Sequence, residues 1–118
     1  MKIKIGQIAN ARNGIAWLTS SRFPPTTSIK IFRIMRVIKP ELDDYLKVEN
    51  ELIRKYGVEI GDQVSVPINR IDEFVNELKP VQDEEIDIDF APLPLSLLTI
   101  DMSADQLDQL SFMLDLEA

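Results

Sequence analysis

The chain has 118 residues, a formal net charge of -7, and neither cysteine nor histidine. Its length suits one domain, and its 45% hydrophobic content is sufficient to fill a core. The missing residue types exclude disulfides, zinc sites built from Cys and His, thiol nucleophiles and histidine general bases. We therefore expect no enzyme activity and no cofactor, and the composition favours a binding role.

The sign of the charge changes along the chain. Residues 1–39 carry eight bases and no acid, residues 40–79 carry five bases and ten acids, and residues 80–118 carry ten acids and no base. This gradient indicates either a bipolar surface or a basic element packed against an acidic one. Both interpretations are open at the level of sequence.

No segment of the sequence predicts a membrane span or a signal peptide. Every apolar run is far shorter than the about 20 residues that a membrane helix needs. Asparagine and arginine interrupt the first residues before a signal-peptide core can form. We expect no membrane partner, and the absence of cysteine is typical of a reducing compartment.

The first elements are short. Residues 2–5 alternate Lys and Ile, which predicts a short strand. From about Gln7 to Ser20, apolar residues recur at spacings of three and four, which predicts one amphipathic helix. Phe23-Pro24-Pro25 then predicts an extended turn, because the residue before a proline is disfavoured in the helical region.

The strongest predicted element is a long helix that ends at Gly57, a natural stop. Thr26, Thr27 and Ser28 are its candidate N-caps. Its apolar stripe consists of Ile31, Ile34, Met35, Ile38, Leu42, Tyr45, Ile53 and Tyr56. Because the stripe keeps its register across Pro40, we expect one helix that is kinked there rather than two helices.

A turn, a strand and a second helix are predicted next. Gly61 and Asp62 predict a turn before a short strand from Gln63 to Pro67. Asn69 is the candidate N-cap of a helix that we expect to end before Pro80. The predicted core positions of this helix are Ile71, Phe74, Val75 and Leu78.

The last third predicts a strand and a helix. Glu84 to Phe90 alternates apolar and acidic residues, as a half-buried strand does. Ser103 and Gln106 form a capping box for the last helix. Its apolar positions are Leu107, Leu110, Met113 and Leu114.

Together these elements predict an α+β fold, a small helix-dominated domain with a long central helix packed with a two- or three-stranded sheet. We expect residues 1–118 to form a single domain. Within it, residues 1–57 form a helical hairpin with a basic first part, and residues 58–118 form an acidic strand-helix-strand-helix region. The long apolar stripe in so small a chain also leaves room for a homo-oligomer.

The first candidate binding surface is basic. Lys30, Arg33, Arg36 and Lys39 fan across the side of the long helix opposite its stripe. They could meet phosphates, anionic lipid or an acidic protein, or they could form a plain solvated face. No aromatic residue is expected among them on the exposed side, where Phe32 is nearest, so no stacking platform for single strands is indicated. All eight aromatic residues are predicted to fill the core.

The second candidate binding surface is acidic. Glu85, Asp87 and Asp89 would lie on one face of the predicted strand, about 7 Å apart. Neighbouring carboxylates can hold Mg²⁺ or Ca²⁺. The alternation with apolar residues is also typical of an ordinary solvated strand face, so we assign no metal site here.

Five segments in a fixed order carry a resemblance over nearly the whole chain. They are Glu51–Gly57, Ile71–Leu78, Glu85–Asp89, Leu95–Leu98 and Met102–Leu107. In this order they resemble a group of small uncharacterised proteins of tailed bacteriophages and prophages. The resemblance implies a phage context and an α+β fold, and it implies no catalytic residues.

The leading hypothesis is a non-enzymatic phage accessory protein that binds a host or phage protein in the host cytoplasm. In this role it would inhibit or redirect a host factor, including a defence component. One alternative is a structural or assembly protein of the virion. A second alternative is a nucleic-acid-binding protein that uses the basic side of the long helix.

Overall fold

One helix spans the full length of this molecule. A computed structural model describes residues 1–117, which form five α-helices joined by short strands and turns. The helices are α1 (Ile5–Asn10), α2 (Arg12–Ser20), α3 (Pro25–Tyr56), α4 (Ile71–Asp83) and α5 (Ala104–Leu110). The 32 residues of α3 extend about 48 Å, and the longest dimension of the molecule is 47 Å.

Six strands of two or three residues pair into three separate ladders within residues 1–117. β1 (Lys2–Lys4) pairs antiparallel with β4 (Glu85–Asp87), and β2 (Val58–Ile60) pairs antiparallel with β3 (Gln63–Ser65). β5 (Leu93–Pro94) and β6 (Leu114–Asp115) pair in parallel. The predicted small, helix-dominated α+β fold is confirmed, with its strands in three ladders instead of one sheet.

The start of α3 differs from the prediction. The N-cap is Pro24 and the first helical residue is Pro25, so the expected caps Thr26, Thr27 and Ser28 all lie inside the helix. A proline suits the first helical position because its φ is already helical and the N–H it lacks would have no partner there.

The end of α3 lies where the sequence places it, for a different reason. Gly57 has an extended backbone, with φ −87°, and does not adopt the left-handed conformation of a glycine cap. A Cβ at this position would lie 2.6 Å from Cγ1 of Val64 and would also collide with the carbonyl of Ile53. Glycine is therefore required by the close approach of β3 to the helix end.

The predicted first helix is two helices. The chain breaks at Ala11, whose amide donates to the carbonyl of Ile8 at 3.0 Å, three residues back rather than four. The side chain of Arg12 donates from Nε to the carbonyl of Ala9 at 3.1 Å. The prediction of one continuous helix is therefore wrong at this point.

α4 also departs from the prediction at both ends. It begins after a 3₁₀ turn, Ile68–Arg70, with Arg70 and not Asn69 as its N-cap. It continues through Pro80 to Asp83, where the sequence predicts a stop. The last turn is held in place because the Gln82 side chain donates to the Tyr45 hydroxyl at 3.1 Å.

Only part of the predicted core of α4 is buried. Leu78 is buried and Phe74 is half-buried, whereas Ile71 and Val75 are exposed and the prediction that they lie in the core is wrong. Together with Val58, Ile60 and Ile68, which is 90% exposed, they leave several apolar groups exposed at this end of the molecule.

The hairpin that precedes α4 confirms the predicted turn and adds a strand. Gly61 has φ 63°, which a two-residue turn between antiparallel strands requires. Val58–Ile60, for which the sequence predicts no strand, pairs with the predicted strand as β2. All six strand residues are exposed, so no burial pattern in the sequence marks this pair.

The core follows the stripe of α3. Ile31, Ile34, Ile38 and Leu42 pack with buried residues of α1, α2 and the C-terminal segment in one cluster. Tyr45 begins a second cluster with Ile5, Ala9 and Leu78. Gly14 permits close packing between α2 and α5, because a Cβ there would lie 3.2 Å from Cγ of Leu110.

A polar network joins α2 to α3 beside the second cluster. Arg12 donates two hydrogen bonds to the Glu49 carboxylate, at 2.9 and 3.0 Å, and its guanidinium lies 5.9 Å from the centroid of the Tyr45 ring. The hydrogen bond from Arg12 lowers the pKa of Glu49, against the opposing effect of burial. Burial raises the pKa of the Tyr45 hydroxyl.

A second polar cluster joins the end of α3 to α4. The Tyr56 hydroxyl donates to Glu77 at 2.5 Å, and Lys55 donates to the same carboxylate at 2.7 Å. The Tyr56 ring also lies 4.8 Å from the guanidinium of Arg70 and 5.1 Å from Nζ of Lys55. These contacts stabilise the distal end of α3, where few apolar side chains are buried.

Two isoleucines of α3 test the orientation of this helix. Ile38 is 0% exposed and Ile29 is 48% exposed. We expect Ile38→Ala to lower the free energy of unfolding by about 2–5 kcal/mol, because it leaves a cavity in the core. Ile29→Ala is the matched control and should change the free energy of unfolding by less than about 0.5 kcal/mol. Equal losses in urea denaturation would contradict the assigned orientation.

The Arg12–Glu49 pair predicts a pH dependence of stability. Since the Glu49 pKa is lower in the folded chain, the stabilisation is complete above the unfolded pKa of about 4.3 and is lost as the pH falls through the folded pKa. At pH 7, Glu49→Gln should therefore lower the free energy of unfolding by about 1–2 kcal/mol.

Urea denaturation of wild type and of Glu49→Gln over a pH series measures how the stabilisation by the Arg12–Glu49 pair depends on pH. The difference between wild type and Glu49→Gln should narrow below about pH 4. Glu51→Gln is the control, because Glu51 is an exposed carboxylate on the same helix, outside the pair. A Glu49→Gln difference that stays constant from neutral to acidic pH would show that the carboxylate charge contributes nothing.

Candidate functional site

The four predicted basic residues lie together on the exposed side of α3. This basic face consists of Lys30, Arg33, Arg36 and Lys39, all exposed and all opposite the buried stripe. Among residues 1–117, none of the four takes part in an ion pair or in a side-chain hydrogen bond to another residue. Their charges are therefore available to a partner.

Two apolar side chains lie among these cations. Phe32 is 59% exposed and Ile29 is 48% exposed, and on a helix they share one side with Arg33 and Arg36 at spacings of three and four. The Arg36 guanidinium lies 5.7 Å from the centroid of the Phe32 ring. The predictions that every aromatic fills the core, and that none lies among the exposed bases, are therefore wrong for Phe32.

An apolar groove opens beside the basic face, between α2 and α3. Its volume is about 560 Å³, within the range of about 300–1,000 Å³ that is typical of ligand sites. The residues that define this α2–α3 groove are Leu18, Phe23, Ile31, Phe32, Met35 and Arg36. Lys39, Pro40 and Asp43 continue it along α3. Two residues of the basic face, Arg36 and Lys39, are thus also part of the groove.

A smaller cavity of about 330 Å³ lies on the other side of α3. It is lined by Lys30 and Arg33 of the basic face and by the segment from Asp89 to Pro94. The basic helix and the end of the acidic segment therefore meet at this cavity, although neither cation comes within ion-pair distance of Asp89 in the part of the chain that the structure describes.

The predicted acidic surface faces positive charge from the N-terminal strand, and one of its three carboxylates, Asp87, forms an ion pair there. In the register of β1 and β4, Lys2 lies opposite Asp87 and Lys4 lies opposite Glu85, an arrangement in which opposite charges attract across the strands. The Asp87 carboxylate also accepts a hydrogen bond from the Met1 amino group at 3.0 Å. Asp89 lies beyond the end of β4 and is exposed.

The sequence left open whether the chain has a bipolar surface or a basic element packed against an acidic one, and the structure contains both arrangements. The first strand and Arg12 are basic elements packed against acidic ones, at β4 and at Glu49. The basic face of α3 has no such partner within residues 1–117. Within the same residues, no group of three or more acidic side chains is arranged to hold a metal ion.

None of the helices within residues 1–117 is both long enough and apolar enough to cross a membrane. Comparisons with known protein families, with curated proteins and with solved structures find no match to this chain.

The groove is the feature that the sequence does not reveal. Its two walls come from residues 18–23 and from α3, and the distance between them depends on how the two helices pack. One local signal exists, since Phe32 falls outside the apolar stripe and next to two arginines. An aromatic residue in such a position on an amphipathic helix indicates an exposed contact.

The exposure of the basic face predicts that its charges contribute little to folding. Arg33→Glu/Arg36→Glu should change the free energy of unfolding by less than about 1 kcal/mol, the worth of one exposed cation–π contact. Arg12→Glu should be far more destabilising, because it places a second carboxylate beside Glu49. Urea denaturation of the two variants measures the contrast. A large loss for the double variant would place these arginines in structural contacts instead.

Proposed function

We propose that this chain is a non-enzymatic phage accessory protein that acts by binding an acidic region of a host or phage protein. The observation that carries the proposal is the basic face of α3, whose four cations surround exposed Ile29 and Phe32 and lack partners within residues 1–117. The phage context rests on the sequence resemblance alone. Inhibition or redirection of a host or defence factor is the role that binding would serve.

The composition of this surface supports a protein as the partner. Protein interfaces are enriched in aromatic residues and arginine, and a few of these residues supply most of the binding energy. The Arg36 guanidinium lies over the Phe32 ring at cation–π distance on the surface, and Arg33 is their neighbour along the helix. An acidic partner would gain charge-assisted hydrogen bonds to the arginines and bury Phe32 and Ile29.

The acidic strand is the weaker candidate for the same role. Asp87 is already paired with the Met1 amino group, and Lys2 and Lys4 lie opposite Asp87 and Glu85, so the positive charge of β1 would oppose the approach of a basic partner. Reversal of charge at Asp87 and Asp89 should therefore weaken binding less than reversal at Arg33 and Arg36.

A nucleic-acid partner is the second candidate, favoured by one specific observation. Exposed Phe32 beside Arg36 is the kind of stacking surface that single strands use. Against it, the net charge of -7 repels a polyanion at long range. A structural or assembly role in the virion does not require the exposed cations of the basic face.

Affinity capture from phage-infected host cells tests the proposal. The bait is the wild-type chain, Arg33→Glu/Arg36→Glu, or Lys47→Glu/Arg54→Glu, a control with the same charge change at exposed positions elsewhere on α3. We expect one saturable partner that the control retains and the basic-face variant loses. With the purified partner, the basic-face variant should bind at least about tenfold more weakly.

Two outcomes would overturn the protein-binding proposal. The first is the absence of any saturable partner, or a partner that both variants retain equally. The second is a mobility shift of single- or double-stranded DNA that weakens steeply with salt and disappears in Arg33→Glu/Arg36→Glu, which would establish nucleic-acid binding. Mass spectrometry of purified virions identifies the structural alternative if the chain is a stoichiometric component.

A further inference from the structure

We propose that the α2–α3 groove binds an amphipathic helix of the partner, with apolar residues on one side and acidic residues beside them. This inference deepens the proposed function, on which it rests, because it specifies the shape and chemistry of the segment that the basic face recognises. It follows from the length of the groove, the composition of its floor and the charges at its edge.

The groove has the length of a short helix. Its lining residues on α3 extend from Ser28 to Asp43 at spacings of three and four, which is about 22 Å or four helical turns. The opposite wall is formed by Leu18 at the end of α2 and by Phe23 in the linker. A helix laid beside α3 would therefore contact both walls, as in helix-in-groove recognition.

The floor and the edge of the groove differ in chemistry. Leu18, Ile31 and Met35 form a floor that suits apolar anchors at positions i, i+3 or i+4, and i+7. Phe32 stands at the edge, largely exposed, and provides a ring against which such an anchor can pack. A methionine in the floor adapts readily to the shape of the incoming side chain.

The charges at the edge require an acidic partner. Arg36 and Lys39 line the groove and are free of ion pairs within the described residues 1–117. Asp43 is the single carboxylate among the lining residues and lies at the far end of the groove. No acidic residue occurs in the first 39 residues of the chain, which supply most of the walls. The partner's acidic residues therefore lie over Arg36 and Lys39.

A pair of synthetic helical peptides tests the proposal without knowledge of the partner. Each has about 16 residues, enough for about four turns, with Leu and Phe on one side. In the first peptide all charged positions are Glu, and in the second all are Lys. We expect the acidic peptide to bind at least about tenfold more tightly and to shift the methyl signals of Leu18, Ile31 and Met35.

Variants inside and outside the groove locate the binding. Phe32→Ala and Arg36→Glu/Lys39→Glu should each weaken binding of the acidic peptide by about tenfold or more. Val75→Ala, at an exposed apolar position on α4, and Lys47→Glu/Arg54→Glu should leave it unchanged. All these positions are exposed, so the variants keep the fold, which circular dichroism verifies.

The proposal is overturned if the two peptides bind equally, if neither perturbs the groove residues, or if Val75→Ala weakens binding while Phe32→Ala does not. Sedimentation that shows the chain to be a dimer through the groove would also overturn it, since a second copy would then be the occupant. If a captured partner depends on Arg33 and Arg36 but not on Phe32, the proposed function stands and the groove proposal fails. If the acidic peptide binds but no cellular partner is captured, the groove proposal stands and the proposed function fails.

Discussion

Burial of one side of α3 is the constraint on which the rest of this structure depends. A 32-residue helix cannot bury its apolar stripe within itself, so α1, α2 and the C-terminal segment pack along residues Ile31 to Tyr45. Because the helix is a continuous rod, the orientation that buries the stripe fixes the opposite side as well. Lys30, Arg33, Arg36 and Lys39 are thus exposed as a consequence of core packing. Binding chemistry on that side is set by whichever residues occupy it, and in this chain they are cations with Ile29 and Phe32 among them.

The continuity of α3 through Pro40 follows from a comparison of magnitudes. A proline inside a helix costs about 3 kcal/mol through a lost hydrogen bond and a steric clash. Burial of Ile38 before it and Leu42 after it contributes about 1.5–3 kcal/mol each, and both would be lost or rearranged if the helix turned away at Pro40. The packing of the stripe therefore outweighs the local preference. The same reasoning applies to Pro80, since Leu78 and Gln82 on its two sides contact the second core cluster and Tyr45.

The elements that the sequence predicts correctly are those in which local preference and tertiary packing agree. The last helix begins at the capping box of Ser103 and Gln106, with both reciprocal hydrogen bonds formed. The turn at Gly61 is also where the pattern places it, whereas the strand predicted from Glu84 to Phe90 forms only at Glu85–Asp87. Two of the wrong predictions lie where a side chain makes a hydrogen bond that the pattern does not show. Arg12 donates to the carbonyl of Ala9 at the break between α1 and α2, and Gln82 in the last turn of α4 donates to the Tyr45 hydroxyl. No periodicity in the chain carries these contacts.

For the candidate site, the sequence identifies the charged residues and not what each of them faces. The net charge of a segment does not distinguish a cation that pairs inside the fold from one that remains free. Lys2 and Lys4 are opposite carboxylates only because β1 pairs with β4 in one register, and a shift by one residue would place Ile3 against an acid. Arg36 and Lys39 belong to the same basic segment, yet the helix directs them to a groove lined by Leu18 and Met35. The charge that a partner can use on this surface is therefore the charge that remains after pairing within the fold, and here it lies beside the apolar α2–α3 groove.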